Sequence, residues 1–160
     1  MLLDRTGVII RRATIEDAEE ILDLQKLAYK SEAEIYNDYT IPPLTQTLEE
    51  MRLEFENWTF LKALAVGKII GSVRACMHQE TCMIGRLIVH PDFQNQGIGT
   101  MLMNEIERCF LPQSIRFELF TGHRSKRNIH LYRKLGYSEF KDERVTEDLT
   151  LVYMEKYARE

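Results

Sequence analysis

The sequence predicts an α/β (α+β) fold, a mixed, mostly antiparallel sheet flanked by helices. Three observations carry this reading. Short runs rich in β-branched residues follow one another across tight turns in the middle of the chain, as antiparallel hairpins require. Segments of helical period separate the remaining runs, and one of them intervenes between two strands that can therefore pair in parallel. The length of 160 residues, with 44% hydrophobic and 29% charged content, suits one domain over residues 1–160 with a full-sized core. The predicted order is β-α-α-β-β-β-α-β-α-β-β.

Residues 7–13 (Gly-Val-Ile-Ile-Arg-Arg-Ala) read as the first strand. Thr14 is the expected N-cap of the next helix, with Asp17 in the position of a capping box. That helix extends to about Tyr29, with Ile15, Ala18, Ile21, Leu22 and Ala28 on its apolar side. Residues 30–43 are irregular and acidic. They read either as a solvated loop with two packed tyrosines, Tyr36 and Tyr39, or as a rim that presents carboxylates to an amine. Leu44, Leu48, Met51, Phe55 and Trp58 recur at spacings of 4, 3, 4 and 3, which predicts one helix with a core-facing stripe.

Residues 60–66 and 69–77 form the next two strands around the hairpin signal Gly67-Lys68. A turn at Gln79-Glu80-Thr81 leads into a strand over 82–89. The strand over 115–121 is its parallel partner, because a whole helix separates the two. A short helix then runs through 125–137, closed by Gly136 as the C′ residue. Residues 137–140 and 149–154 complete the sheet as a hairpin across a charged loop over 141–148. No internal repeat, linker or low-complexity segment interrupts this order.

Charge and cysteine content exclude several classes. A net charge of −4 argues against bulk attraction to nucleic acid or to an anionic membrane. It is weakly compatible with a cationic amine. No apolar run is long enough to span a bilayer, and the N-terminal residues contain no signal-peptide core. Cys76, Cys82 and Cys109 are odd in number and read as reduced core residues of a cytoplasmic protein. No Cys/His pair has ligand spacing, so no metal is expected.

The most informative stretch joins the strand ending Leu87-Ile88-Val89 to the helix that begins near Thr100. Pro91 ends the strand, since it offers no N–H to the ladder. Gln94-Asn95-Gln96-Gly97-Ile98-Gly99 follows, and positions 98, 101, 102, 106, 109 and 110 are apolar at helical spacing. The first amides of a helix lack intrahelical partners and carry partial positive charge. Gly97 and Gly99 remove the side chains that would hold an anion away from them, so a phosphate can be bound by backbone alone. A strand-to-helix turn needing flexible dihedrals is the plainer account of the same glycines. A Walker A loop would need Lys-Ser/Thr after the glycines, and a Rossmann turn a third Gly; both are absent.

The pattern Gln94-x-x-Gly97-x-Gly99, after a strand and a Pro, resembles the acetyl-CoA signature of the GCN5-related N-acetyltransferases, the GNAT family. A second stretch is similar to the family as well. Asn128, Tyr132 four residues on, and Gly136-Tyr137 fit its pattern, and Asn128 and Tyr132 share a helix face. The Ala-Thr cap and acidic first turn after the first strand also look like the family's opening. The resemblance spans essentially the whole chain.

This resemblance implies direct acyl transfer from acetyl-CoA to an amine of a small molecule or peptide. It implies that the 82–89 strand splays from the 115–121 strand and that pantetheine lies in the gap. The backbone of Leu87, Ile88 and Val89 would then contact it. The pyrophosphate would rest on Gln94, Asn95, Gln96, Gly97, Ile98 and Gly99, with a hydroxyl from Thr100 and a contact from Asn128. An N–H at a strand bulge would polarise the thioester carbonyl. Tyr132 would be the general acid; a packed helix tyrosine is the plainer reading.

The base is where the pattern departs. Many family members carry a Glu on the strand before the turn, where this chain has Met83. Glu80, Glu118, His78, His123 or a water relay are the alternatives. Basic residues around 123–134 read as a solvated face, with one or two in reach of the CoA 3′-phosphate. The missing Glu also keeps open a non-catalytic acyl-CoA-binding regulatory module; an interaction domain without a cofactor is a third reading. Homodimers are common in the family, but no strand here is diagnostic of one.

Overall fold

A computed structural model describes residues 2–3 and 7–158. Its centre is a sheet in which β1 (Leu2–Leu3), β2 (Ile9–Arg12), β3 (Thr59–Ala65), β4 (Lys68–His78) and β5 (Thr81–Val89) lie side by side in chain order. They are followed by β6 (Arg116–Gly122), β8 (Thr150–Tyr157) and, at the far edge, β7 (Ser138–Arg144). Every neighbouring pair is antiparallel except β5 with β6. The parallel pair is the expected one, and α5 (Ile98–Phe110) is the crossover that such a pair needs.

The β3–β4 hairpin turns through Val66 and Gly67 at φ 50° and 76°. Two left-handed residues match the natural twist of a two-residue hairpin.

The two faces of the sheet are covered differently. On one, Ile98, Leu102, Met103 and Ile106 of α5 pack on Leu61, Val73, Cys82, Ile84 and Phe117. On the other, α1 (Ala18–Ala28) and α4 (Leu48–Glu54) place Ile21, Leu22 and Met51 against Phe60, Ile69 and Ile88. Each such apolar side chain contributes about 1.5–3 kcal/mol on burial. Helix α5 sits low on β4 because Gly71 lies beneath it. A Cβ there would be 3.0 Å from Leu102 Cδ1 and 3.2 Å from the Ile88 carbonyl oxygen.

Several expectations are corrected. The stripe from Leu44 to Trp58 is not one helix: α3 (Pro42–Thr45) and α4 are separate. Gln46 is extended, and Thr47 caps α4 in a closed box, accepting from the Glu50 N–H at 3.1 Å while Glu50 Oε1 accepts from the Thr47 N–H at 2.8 Å. Leu48, Met51, Phe55 and Trp58 face the core beside α1, whereas Leu44 of α3 is only half-buried.

Residues 30–43 are not a loop throughout. They hold α2 (Lys30–Tyr36), ended by Asn37 in the left-handed region, and the start of α3. Tyr36 is buried, but Tyr39 is 57% exposed rather than packed. The charged segment over 141–148 is a strand as far as Arg144. Its side chains are all exposed at the sheet edge, so no apolar alternation marks it. Cys109 is exposed, whereas Cys82 is buried. Helix α6 (Lys126–Lys134) closes as expected: Gly136 takes φ 100°, and the Tyr137 N–H donates to the Tyr132 carbonyl at 2.9 Å.

Candidate active site

Strand β5 pairs with β6 only over Thr81–Met83, opposite Arg116–Glu118. Beyond Met83 the two strands part. At the same place β5 is bulged: Gly85 opposes Arg74 and Ile88 opposes Ser72, so one extra residue is inserted, and Arg86 takes φ 50°. The His90 N–H then donates to the Ile70 carbonyl on β4 at 2.8 Å. Strand alternation therefore turns the amide edges of Leu87 and Val89 away from β4, toward the opening beside β6.

A groove of about 650 Å³ occupies that opening. Leu87, Ile88 and Val89 form one wall. Gln94, Asn95, Gly97, Ile98, Gly99 and Thr100 form its end, and Asn128 and Leu131 of α6 form the other wall. The junction between α1 and α2 contributes Tyr29, and α2 contributes Glu32. Of the residues expected to contact the cofactor, all but Gln96 therefore line one groove.

Gly97 is the N-cap of α5 at φ 80°, and the Met101 N–H already bonds the Gly97 carbonyl at 3.0 Å. The amides ahead of Met101 have no such partner, and no acidic residue occupies the helix's first turn. Gly97 and Gly99 act differently. A Cβ on Gly97 would touch nothing, so that position needs glycine for its dihedral; on Gly99 it would press on Leu131 Cδ2 at 3.4 Å, where α5 meets α6.

The basic face around α6 is not merely solvated. Arg124, Lys126, Arg127 and Lys134 line the groove, with Glu32 as the carboxylate among its lining. Arg127 also fastens α6 to the Gly-rich turn, donating to Gln94 Oε1 at 2.7 Å and to Asn95 Oδ1 at 3.3 Å. The excess of positive charge suits a polyphosphate ligand.

Asn128 Nδ2 donates to Thr121 Oγ1 at 3.3 Å. Tyr132, one turn on, is buried in the hydrophobic core and is not among the residues lining the groove, and no described residue hydrogen-bonds its hydroxyl. Burial, then the nearby Tyr29 and Glu32, push its phenol pKa well above the ordinary value. The proton is thereby retained at any physiological pH.

The candidate bases are scattered. Glu80 is exposed in the β4–β5 turn, at the end of β5 away from the bulge, and His78 is exposed beside it. His123 Nδ1 accepts from the Thr150 N–H at 3.0 Å, outside the groove lining. Glu118 is the register partner of Met83 and stands on the same face where the strands part; it ion-pairs with Arg116 at 2.8 Å. Among the described residues no group of His, Cys, Asp and Glu is placed to hold a metal. No described helix is long and apolar enough to cross a membrane.

The resemblance implied a strand bulge but not its place; its position at Arg86, the contribution of Tyr29 to the groove and the seat for α2 came only from the tertiary structure. At that seat Tyr36 Oη lies 2.9 Å from Ser125 Oγ and accepts from the Arg124 N–H at 2.9 Å. Gly122 makes room for it, since a Cβ would come within 2.0 Å of Tyr36 Oη. No composition signal marks a bulge or a cross-chain contact of this kind.

Residues 19–137 match the model of the acetyltransferase (GNAT) family. The chain belongs to the GNAT family. It is 28% identical over 139 residues to an uncharacterised N-acetyltransferase of Methanocaldococcus jannaschii, covering 81% of this chain and 60% of that protein. It is 27% identical over 149 residues to the UPF0157 protein YqkA of Bacillus subtilis, covering 93% of this chain and 42% of YqkA. The chain thus spans about half the length of these curated relatives.

Among solved structures, the fold matches the PaiA N-acetyltransferase of Thermoplasma acidophilum in complex with coenzyme A, with a TM-score of 0.77 and 20% identity over 94% of this chain and 98% of that one. It also matches the ribosomal-protein-S18-alanine N-acetyltransferase of Escherichia coli, with a TM-score of 0.80 and 16% identity over 96% and 95%.

Proposed function

We propose that this GNAT protein transfers acetyl from acetyl-CoA directly to a primary amine. The observation that carries this is the convergence on one groove of a free strand edge, an uncapped helix N-terminus and the α6 face bearing Asn128. Acetyl-CoA supplies the activated acyl group.

Leu87 and Val89 present backbone donors and acceptors to an amide-containing chain lying along β5. The amides at Gly97, Ile98, Gly99 and Thr100, with Arg127 and its basic neighbours, hold phosphate. A backbone N–H at the Arg86 bulge is aimed where alternation is broken, and it serves as the donor to a developing oxyanion. Tyr132 keeps its proton for a departing thiolate. Glu118, directly or through water, takes the proton of the amine. Its place beside Met83 supports this assignment over Glu80.

Tyr132→Phe separates a working acid from a packed tyrosine. The hydroxyl has no protein partner, so acetyl-CoA affinity and melting temperature should stay near wild type. Thiol release with an accepted amine should fall on the order of 100-fold. Unchanged turnover refutes the role. Acetyl-CoA binding without turnover of any amine would instead support a regulatory acyl-CoA-binding module.

A further inference from the structure

We propose that the amine acceptor carries a carboxylate, and that Arg86 and Arg74 bind it beside the β5 bulge, on the face of the sheet covered by α1 and α4. This rests on the acetyltransferase reading above.

The two guanidiniums are left with less negative charge than they need. Arg86 donates to the neutral Gln46 Oε1 at 3.0 Å, which itself accepts from Gln25 Nε2 at 2.8 Å. No described carboxylate lies within ion-pairing distance of Arg86. Arg74 is 9% exposed and lies over the Trp58 ring at 4.1 Å. Its Nη1 pairs with Glu54, but without hydrogen-bond alignment, and its Nε has no partner. Arg86 is held below the ordinary arginine pKa by burial and then by Arg74, with Tyr29 and Glu54 acting the other way. Glu32, the carboxylate that acts on Tyr29, accepts from the Ser125 hydroxyl. Two cations thus share one aligned neutral partner and one misaligned carboxylate.

A buried guanidinium with an unmade hydrogen bond is costly, and a second one beside it raises the cost. A carboxylate from the substrate relieves both, because its two oxygens match the guanidinium fork.

Gly85 faces Arg74, and a Cβ built on it would meet only Arg74 Nε, at 3.8 Å. Arg74 Nε and Nη1 are themselves closed to water, so the half-buried Arg86 meets the carboxylate first and Arg74 stands behind it. The location also fits the reaction. Gly85 and Arg86 immediately precede Leu87, whose backbone edge borders the groove, and Tyr29 both acts on Arg86 and lines the groove. A carboxylate held there places an amine of the same small molecule, or of a peptide's terminal residue, at the bulge. Polyamines without an acid group would meet like charge.

The test uses matched amines with acetyl-CoA: amino acids and ω-amino acids, each beside its carboxamide, and the corresponding diamines. Thiol release gives kcat/KM for each. A charge-assisted bidentate contact predicts that an accepted acid exceeds its amide by roughly 10- to 100-fold, mostly in KM. In Arg86→Gln the acid-to-amide ratio should fall toward one, and Arg86→Lys should restore part of it. If Arg86→Gln does not fold, Arg86→Lys alone carries the comparison, with a ratio reduced several-fold. A wild-type enzyme that turns over amides or diamines but no acid overturns the inference, as does a ratio that neither variant changes. Failure of the wild-type protein to bind acetyl-CoA in calorimetry would overturn the underlying acetyltransferase reading instead.

Discussion

Position 97 separates the conformational role of the Gly-rich turn from the anion binding proposed for it. Gly97 has φ 80°, and a side chain there would touch nothing within 4 Å. Any L-residue therefore carries the left-handed penalty alone, about 1–2 kcal/mol, without a steric addition. For a chain of this size that lowers the melting temperature by roughly 2–8 °C.

Gly97→Gln and Gly97→Glu should share this loss, since they differ by one charge and little volume. They should differ in binding. A carboxylate about 5 Å from a phosphate, at an effective dielectric near 20, adds about 3 kcal/mol of repulsion, or roughly 150-fold in Kd. The assay is calorimetric titration with acetyl-CoA at low and high salt, with melts of both variants as the stability control. Gly97→Gln should bind within about tenfold of wild type and Gly97→Glu far more weakly. The gap should narrow as salt rises, because the groove is open to water. Equal affinities for the two variants at low salt would refute phosphate binding at this helix end.

Two further outcomes follow from the packing. Gly122→Ala should cost about 2–4 kcal/mol, because its Cβ would meet Tyr36 Oη at 2.0 Å and would break the hydroxyl's contacts with Ser125 and the Arg124 N–H; chemical denaturation measures it, and a loss below about 0.5 kcal/mol would show that Tyr36 is not seated there. Stability should also fall above pH 10. Tyr29, Tyr132 and Tyr137 are all held above the ordinary phenol pKa, first by burial. The unfolded chain then loses protons that the folded chain keeps, so each adds a slope of up to about 1.4 kcal/mol per pH unit against folding. Denaturant midpoints that stay flat from pH 9 to 11 would contradict that burial.

Legibility in the sequence followed the range of the interactions. The strand from Thr81 to Val89, the turn at Gly97 and the Gly136 cap are written in residues a few positions apart, and each stands where its pattern put it. The parallel pairing of β5 and β6 agreed with the intervening helix, which is long enough for the crossover that such a pair needs. Errors came where local pattern was silent. The stripe from Leu44 to Trp58 kept its period across a break made by Thr47, and β7 has no apolar alternation because all of it is exposed.

The sequence alone determined the order of the main elements and the glycine-rich turn proposed to hold an anion. Propensity, periodicity and the special dihedrals of glycine act over one or two turns of chain. The tertiary structure decided where β5 and β6 separate, that β5 bulges at Arg86, and that Tyr29, Glu32 and α6 face the same opening. It also decided that Arg74 and Arg86 lie together without matching carboxylates. These depend on which side chains of separate elements meet, and packing, not local propensity, selects those meetings.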